Sequence, residues 1–378
     1  MEGLFVAEKM FVQNSGSKVM EEAYYECLLN AIGKDNLHAV AIKHPNVEDD
    51  KRFICLNRKA DILTFMKGYT HYLDRRIIKQ LDELIEKNHY KFVFFMTQSF
   101  GKYEKSIKKK HPQIVTMTYF PGIAKYHFET TKYYHPGLHE RIFQLNSIYN
   151  EKITTAYSDV RILLNQREDN NLYKYYGVHS TDIIPIFMKD TFPCDYARKD
   201  MVMDHKTFNL LFVGVYFPPN VSGLKWFFDN VMDRLSDNIH FYVVGSGMDK
   251  LQEEISDNPK IHIKGRVEDL APYYMEANVI VEPIFNGDGM KTKTAEALMY
   301  GKTIVGSKEA LCGYDETAGI ECNTADEFVK CINELQTAGV KKFNPEKRDM
   351  FINNYSIEAT CKALRKIFKR YGIGDERN

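Results

Sequence analysis

Apolar residues recur along this chain in two rhythms. Short continuous runs, of which Phe208 to Val213 is the clearest, alternate with stretches where apolar side chains return every three or four positions. The runs suit strands covered on both faces and the spaced stretches suit helices with one covered side, so the alternation predicts α/β domains built on parallel sheets. A first winding opens with a strand over Leu4 to Ala7, a polar turn through Asn14-Ser15-Gly16-Ser17, and a helix over Lys18 to Ile32 spaced by Val19, Ala23, Cys27 and Ala31. Strands over His38 to Ile42, Phe92 to Thr97 and Ile114 to Tyr119 follow. After a long helical region ending near Ser158 come a strand Val160 to Asn165, a helix Glu168 to Tyr176 stopped by Gly177, and a strand Ile183 to Phe187. A second winding runs from the strand Phe208 to Val213 through a turn at Tyr216 to Asn220 and a helix over Ser222 to Leu235. It continues with the strand His240 to Val244, the turn Gly245-Ser246-Gly247, a helix Lys250 to Ser256, the strand Ile261 to Lys264 and a helix Leu270 to Ala277. The strand Val279 to Pro283, a glycine-rich loop, the helix Thr292 to Tyr300 and the strand Thr303 to Gly306 close it, and a basic amphipathic helix spans Ile357 to Arg370.

A chain of 378 residues exceeds what one hydrophobic core usually supports. The windings divide it into a domain at 1–190, a linker at 191–206, a domain at 207–355 and a terminal helical segment at 356–378. Lys and Arg number 51 and Asp and Glu number 51, so no global field draws the molecule to nucleic acid, and an anionic ligand must be held locally. The seven cysteines are scattered without a C-x-x-C pair, which argues against a cysteine metal site and for reduced thiols. Met1 to Met10 lack a basic start followed by an apolar stretch, and the longest apolar runs are too short to span a bilayer, so a cytoplasmic location is expected. Lys102, Lys105, Lys108, Lys109 and Lys110 form a basic run that suits a solvated helix face or, alternatively, peripheral contact with a membrane.

Candidate chemistry concentrates between Glu282 and Gly301. A strand meets a helix there through Gly287-Asp288-Gly289, where glycines let the backbone approach a ligand and the free amides of the helix start attract an anion. Lys291 and Lys293 add two positive charges, and Glu296 follows one helical turn after Lys293. The loop suits a diphosphate with a carboxylate near ribose hydroxyls. An ordinary turn with solvated lysines and an exposed Lys293–Glu296 pair satisfies the same residues.

Five blocks over about a hundred residues decide between them. Leu211-Phe212-Val213-Gly214, Pro219-Asn220, Val243 to Gly247, Ile263 to Leu270, and Val281-Glu282-Pro283 with Gly287-x-Gly289-x-Lys291-x-Lys293-x-x-Glu296-Ala297 resemble the carboxy-terminal donor domain of retaining glycosyltransferase family 4. The resemblance implies a GT-B fold: two Rossmann-like, doubly wound parallel-sheet domains facing a central cleft, with the last helix crossing back to the amino-terminal domain. It implies transfer of a sugar from a nucleotide diphosphate sugar, UDP-sugar by family frequency, to a glycan or lipid-linked acceptor, with retained configuration and no metal or other cofactor. Asp288 would face the transferred sugar, Glu296 the ribose, and Lys293 the diphosphate with Lys291 as a second cation. Backbone at Gly287, Gly289 and Met290 would bind sugar and phosphate oxygens, Arg266 and Val267 would border the base, and Gly245 would line the same cleft. In the amino-terminal half, Gly16 occupies the place of a glycine loop near the diphosphate, His127 is the candidate for a functional histidine, and the tyrosines at 126, 133 and 134 suit either acceptor stacking or core packing.

Two departures stand out. The first acid is Asp288 where Glu is usual, and the Arg and downstream Lys that many members carry after the first strand of this domain are missing, with Lys225 as a possible substitute. The missing pair leaves open a non-catalytic GT-B subunit that activates a partner transferase, and the architecture also serves nucleotide-sugar epimerases.

Overall fold

The computed structural model describes residues 2–11, 16–131, 137–193, 201–287 and 289–374. The chain forms two compact units, Met1–Pro185 with Ile357–Asn378, and Ile186–Ser356.

The first unit holds β1 (Gly3–Ala7), α1 (Gly16–Ile32), β2 (Leu37–Lys43), β3 (Ile54–Asn57), α2 (Ile62–Met66), α3 (Arg75–Asn88), β4 (Phe92–Phe95), α4 (Gly101–Lys110), β5 (Val115–Phe120), α5 (Ala124–Thr131), α6 (Leu138–Tyr157), β6 (Val160–Leu163), α7 (Gln166–Tyr176) and β7 (Asp182–Ile183). Its seven strands pair in parallel in the order β3-β2-β1-β4-β5-β6-β7. Every residue of β1 and β4 is buried, as continuous apolar runs at the centre of a sheet covered on both faces require. The strand expected over Ile183 to Phe187 pairs only at Asp182–Ile183, since Pro185 has no backbone donor to offer the ladder. Gly177 ends α7 in the left-handed conformation, as its position predicts.

The second unit holds β8 (Phe208–Val213), α8 (Pro218–Asn230), β9 (Ile239–Val244), β10 (Ile261–Gly265), α9 (Ala271–Glu276), β11 (Val279–Glu282), α10 (Thr292–Met299), β12 (Thr303–Gly306), β13 (Ile320–Glu321), α11 (Ala325–Thr337) and α12 (Pro345–Met350). Its strands are parallel in the order β10-β9-β8-β11-β12-β13. Strand order reverses between β8 and β11, the place where open parallel sheets form a ligand crevice at their carboxyl ends. The expected turn at Tyr216 to Asn220 is a correction: α8 starts at Pro218, because prolines fit the first helical turn, whose amides need no partner. The helix expected at Lys250 to Ser256 is a short 3-10 turn over Met248–Glu253.

Part of the expected linker, residues 194–200, lies outside the described residues. On either side of it the chain packs within the second unit: the Thr191 amide lies 3.3 Å from Met299 Sδ, and the Val202 and Met203 amides donate to Glu276 at 3.2 and 2.9 Å. The final helix, α13 (Ile357–Arg370), packs in the first unit, with Phe368 against Phe92 and Arg365 donating to the Asn30 carbonyl of α1. Cys361 on α13 meets Cys27 on α1 at 2.7 Å between sulfurs, both free thiols. Among the described residues no helix is long and apolar enough to cross a membrane.

A capping box starts α11. The Thr324 hydroxyl accepts from the Glu327 amide at 3.3 Å while the Glu327 carboxylate accepts from the Thr324 amide at 2.9 Å. Thr324→Ala is expected to destabilise the second unit by about 1 kcal/mol, read as a lower urea midpoint at unchanged m-value; an unmoved midpoint would show that the cap carries no weight.

Candidate functional site

The carboxyl ends of β8, β9 and β11 and the amino end of α10 meet in the second unit, at the reversal of strand order. Close backbone approach builds the floor. Gly245, with φ at 151°, donates to the Gly265 carbonyl at 2.7 Å, and a Cβ there would lie 1.8 Å from the Gly214 carbonyl oxygen. Gly287 and Gly289 have φ at 146° and 62°, conformations open to glycine, so the chain turns from β11 into α10 as the Gly-x-Gly pattern requires. Asp288 between them lies outside the described residues.

Lys291 takes the N-cap position of α10 with extended backbone. Its ammonium pairs with Glu309 at 2.7 Å, and its carbonyl accepts the Tyr314 hydroxyl at 2.6 Å. Lys293 donates to Asn220 Oδ1 at 2.7 Å and lies 4.2 Å above the Phe212 ring. Burial draws its ammonium down to about 8, against the pull of Glu282. Glu296 accepts the Tyr274 hydroxyl at 2.9 Å, and Tyr274 stacks on Tyr300 with centroids 4.5 Å apart. Burial raises the Glu296 carboxyl above its ordinary range. The alternative of solvated lysines with an exposed Lys293–Glu296 pair therefore does not describe this loop: Lys293 bonds Asn220, Glu296 bonds Tyr274, and both are partly buried.

After β8, where many members carry an arginine, this chain has Gly214 beside Lys293 and Asn220. A Cβ on Gly214 would come within 2.9 Å of Lys293 Nζ and 3.1 Å of Asn220 Nδ2, so a side chain at this position would crowd the lysine. Lys225 on α8 pairs its ammonium with Glu254 at 2.8 Å. Met290 is buried and its sulfur accepts the Ile186 amide at 3.5 Å. Arg266 is exposed and Val267 half-buried directly after β10. Among the described residues no group of three or more His, Cys, Asp or Glu side chains could hold a metal ion.

Two expected site residues belong to the first unit. Gly16 opens α1, and His127 is exposed on α5, where its amide donates to the Ile123 carbonyl at 2.9 Å. Tyr126 packs against the small cluster of Phe120, Ile123, Leu163 and Leu172, whereas the residues at 133–135 lie outside the described set. The basic run on α4 is largely engaged: Lys108 pairs with Asp159 at 2.8 Å, Lys110 with Asp82 at 2.6 Å, and Lys105 lies over the Tyr157 ring.

Sequence reasoning passed over several residues that shape the site. Glu282 ends β11 fully buried and accepts the Thr294 hydroxyl at 2.6 Å. Glu309, Tyr314 and Tyr274 hold Lys291 and Glu296 from segments with no recognisable spacing to the loop. Asn220 and Glu282 stood inside the recognised blocks, and their residue types were the available signal.

Residues 207–337 match the model of the family described as Glycosyl transferases group 1. No curated protein matches the sequence. Among solved structures, sucrose-phosphate synthase from Thermosynechococcus elongatus superposes with a TM-score of 0.72 at 15% identity, covering 98% of this chain and 99% of that one. The lipopolysaccharide outer core galactosyltransferase WaaB in its apo form gives 0.66 at 13% identity, covering 98% and 100%. The Anabaena protein HepE in complex with UDP-glucose gives 0.64 at 10% identity, covering 98% and 100%. With the two parallel-sheet units, these likenesses establish the GT-B fold.

Proposed function

We propose that this protein is a retaining glycosyltransferase of family 4 that moves a sugar from a nucleotide diphosphate sugar to a glycan or lipid-linked acceptor without a metal ion. The observation that carries the reading is the start of α10, where the positive end of the helix dipole and the Lys293 ammonium converge beside a glycine turn at the sheet's strand reversal. The family match at 207–337 contains every second-unit residue of this arrangement and supports a nucleotide-sugar site. The UDP-glucose complex of HepE supports uridine diphosphate as the donor's base and phosphates, and WaaB supports a polysaccharide or lipid-borne acceptor.

In such a transfer, negative charge grows on the departing diphosphate. Lys293 and the positive end of the α10 dipole meet that charge; Lys291, tied to Glu309, contributes less until that pair opens. Glu296 accepts from ribose hydroxyls, Arg266 and Val267 border the base, and Gly245, Gly287, Gly289 and Met290 line the phosphates and sugar; the catalytic role toward the transferred sugar is assigned to Asp288, which lies outside the described residues. In the first unit, Gly16 is assigned to donor binding and His127 to catalysis. Exposed Ile62, Leu63 and Met66 on α2 and Leu138, Ile142 and Leu145 on α6, two helices joined where Phe65 meets Phe143, support a lipid-linked acceptor and peripheral contact with a membrane.

Incubation with UDP-glucose, UDP-galactose or GDP-mannose tests the reading. Nucleoside diphosphate should be released from one of them with its rate unchanged by a chelator, and that nucleotide at a hundredfold over its Kd should stabilise the fold by about 2.7 kcal/mol. Loss of activity with chelator overturns metal independence. Conversion of the donor to its epimer in place of release overturns transfer.

A further inference from the structure

Glu282 lies beneath the proposed diphosphate site with no exposed surface, at the last position of β11. Its Oε2 accepts the Thr294 hydroxyl from the first turn of α10 at 2.6 Å, while its Oε1 is buried with no hydrogen-bond partner among the described residues. A buried carboxylate with one open oxygen is an expensive group to keep ionised, and native proteins retain one where its charge does something. Facing it are Lys291, Lys293 and Glu296 from α10, Tyr274 from α9, and Tyr314 from the segment after β12. Lys293 reaches out to Asn220 with its hydrogen bond, so Glu282 acts on it through space, as an anion behind the lysine.

A diphosphate at the start of α10 would place new negative charge on the far side of the same lysines. Two anions cannot both stay ionised cheaply around one partly buried cation pair. A bridged diphosphate does not titrate near neutrality, whereas a carboxylate can accept a proton.

We propose that Glu282 is a positioning residue whose charge is exchanged for the donor's: in the empty site its carboxylate keeps Lys293 protonated, and on binding of a nucleotide sugar it takes up one proton from solvent. The proton goes to Glu282 and no other bond forms or breaks. Burial already pushes this carboxyl up to about 7, so a modest further push by the ligand suffices near neutral pH. Donor affinity then falls as pH rises above this range, where protonating Glu282 costs progressively more. The inference rests on the donor reading.

The test uses the full chain at pH 8 with whichever of UDP-glucose, GDP-mannose or ADP-glucose binds most tightly. Infrared difference spectra of bound minus free protein should gain the C=O stretch of a protonated carboxylic acid. The band should shift with ¹³C-glutamate labelling, vanish in Glu282→Gln, and move in frequency in Thr294→Val, which removes the carboxyl's hydrogen bond and leaves Glu282 in place. Binding without the band, or a band that survives in Glu282→Gln, overturns the proposal and leaves the donor reading standing. Failure of all three nucleotide sugars to bind overturns the donor reading and the proposal with it.

Discussion

Lys293→Ala is expected to lower turnover about 10² to 10³-fold while changing KM for the nucleotide sugar only severalfold. Asn220 fixes the ammonium at 2.7 Å and the Phe212 face supports it from below, so the charge is already placed before substrate arrives. A cation held in this way interacts moderately with the ground-state diphosphate and most strongly as the leaving group gains charge, which puts the loss in kcat. Asn220→Ala separates placement from charge: it keeps the ammonium and removes its tether, and a smaller fall in turnover is expected. A Lys293→Ala enzyme with full turnover and raised KM would instead assign the lysine to ground-state binding alone.

The pH profile follows from the same surroundings. Burial lowers the Lys293 ammonium to about 8, so it is charged below that pH and neutral above it. In the wild type kcat/KM therefore falls as pH rises through this region, and Lys293→Arg, whose guanidinium stays protonated, should flatten that limb whatever its absolute rate.

The windings, the strand Phe208 to Val213, the strand Thr303 to Gly306 and the last helix Ile357 to Arg370 were legible because continuous apolar runs and helical spacing survive wherever an element is buried on a fixed face. Edge strand β3 escaped because its four residues, Ile54 to Asn57, are half exposed and carry little pattern. The start of α8 was misplaced because Pro-Pro reads as a turn until one asks which amides a helix start leaves unpaired. At the site, the glycines and lysines announced themselves by spacing along one segment. What holds them did not: Asn220 lies 73 positions from Lys293, Glu309 lies 18 from Lys291, and Tyr274 lies 22 from Glu296. Partners brought together by sheet order leave no local pattern, and the hydrogen bonds that distinguish a placed lysine from a solvated one are of this kind.

Gly223→Ala is expected to destabilise the second unit by about 3 kcal/mol and to abolish nucleotide binding. Local preference argues the other way, since alanine in a helix is favoured over glycine by about 1 kcal/mol. Packing decides it. Gly223 is buried on the face of α8 that seats Leu224, Phe227 and Phe228 in the core, and a Cβ there would lie 1.8 Å from the Pro283 carbonyl oxygen. Pro283 is backbone, held between β11 and the glycine turn, so no flexible side chain can give way. Either α8 lifts from the sheet, carrying Asn220 from Lys293, or Pro283 moves and takes the turn at Gly287 with it. Both routes disturb the anion site through the same contact. The melting temperature should drop roughly 6 to 12 °C, and saturating nucleotide should no longer raise it. Ser222→Ala, one position earlier and exposed, gains helix preference without the contact and should melt no lower than the wild type. If Gly223→Ala also melts with the wild type, α8 does not sit on the Pro283 carbonyl, and the close seating of that helix against the loop is disproved.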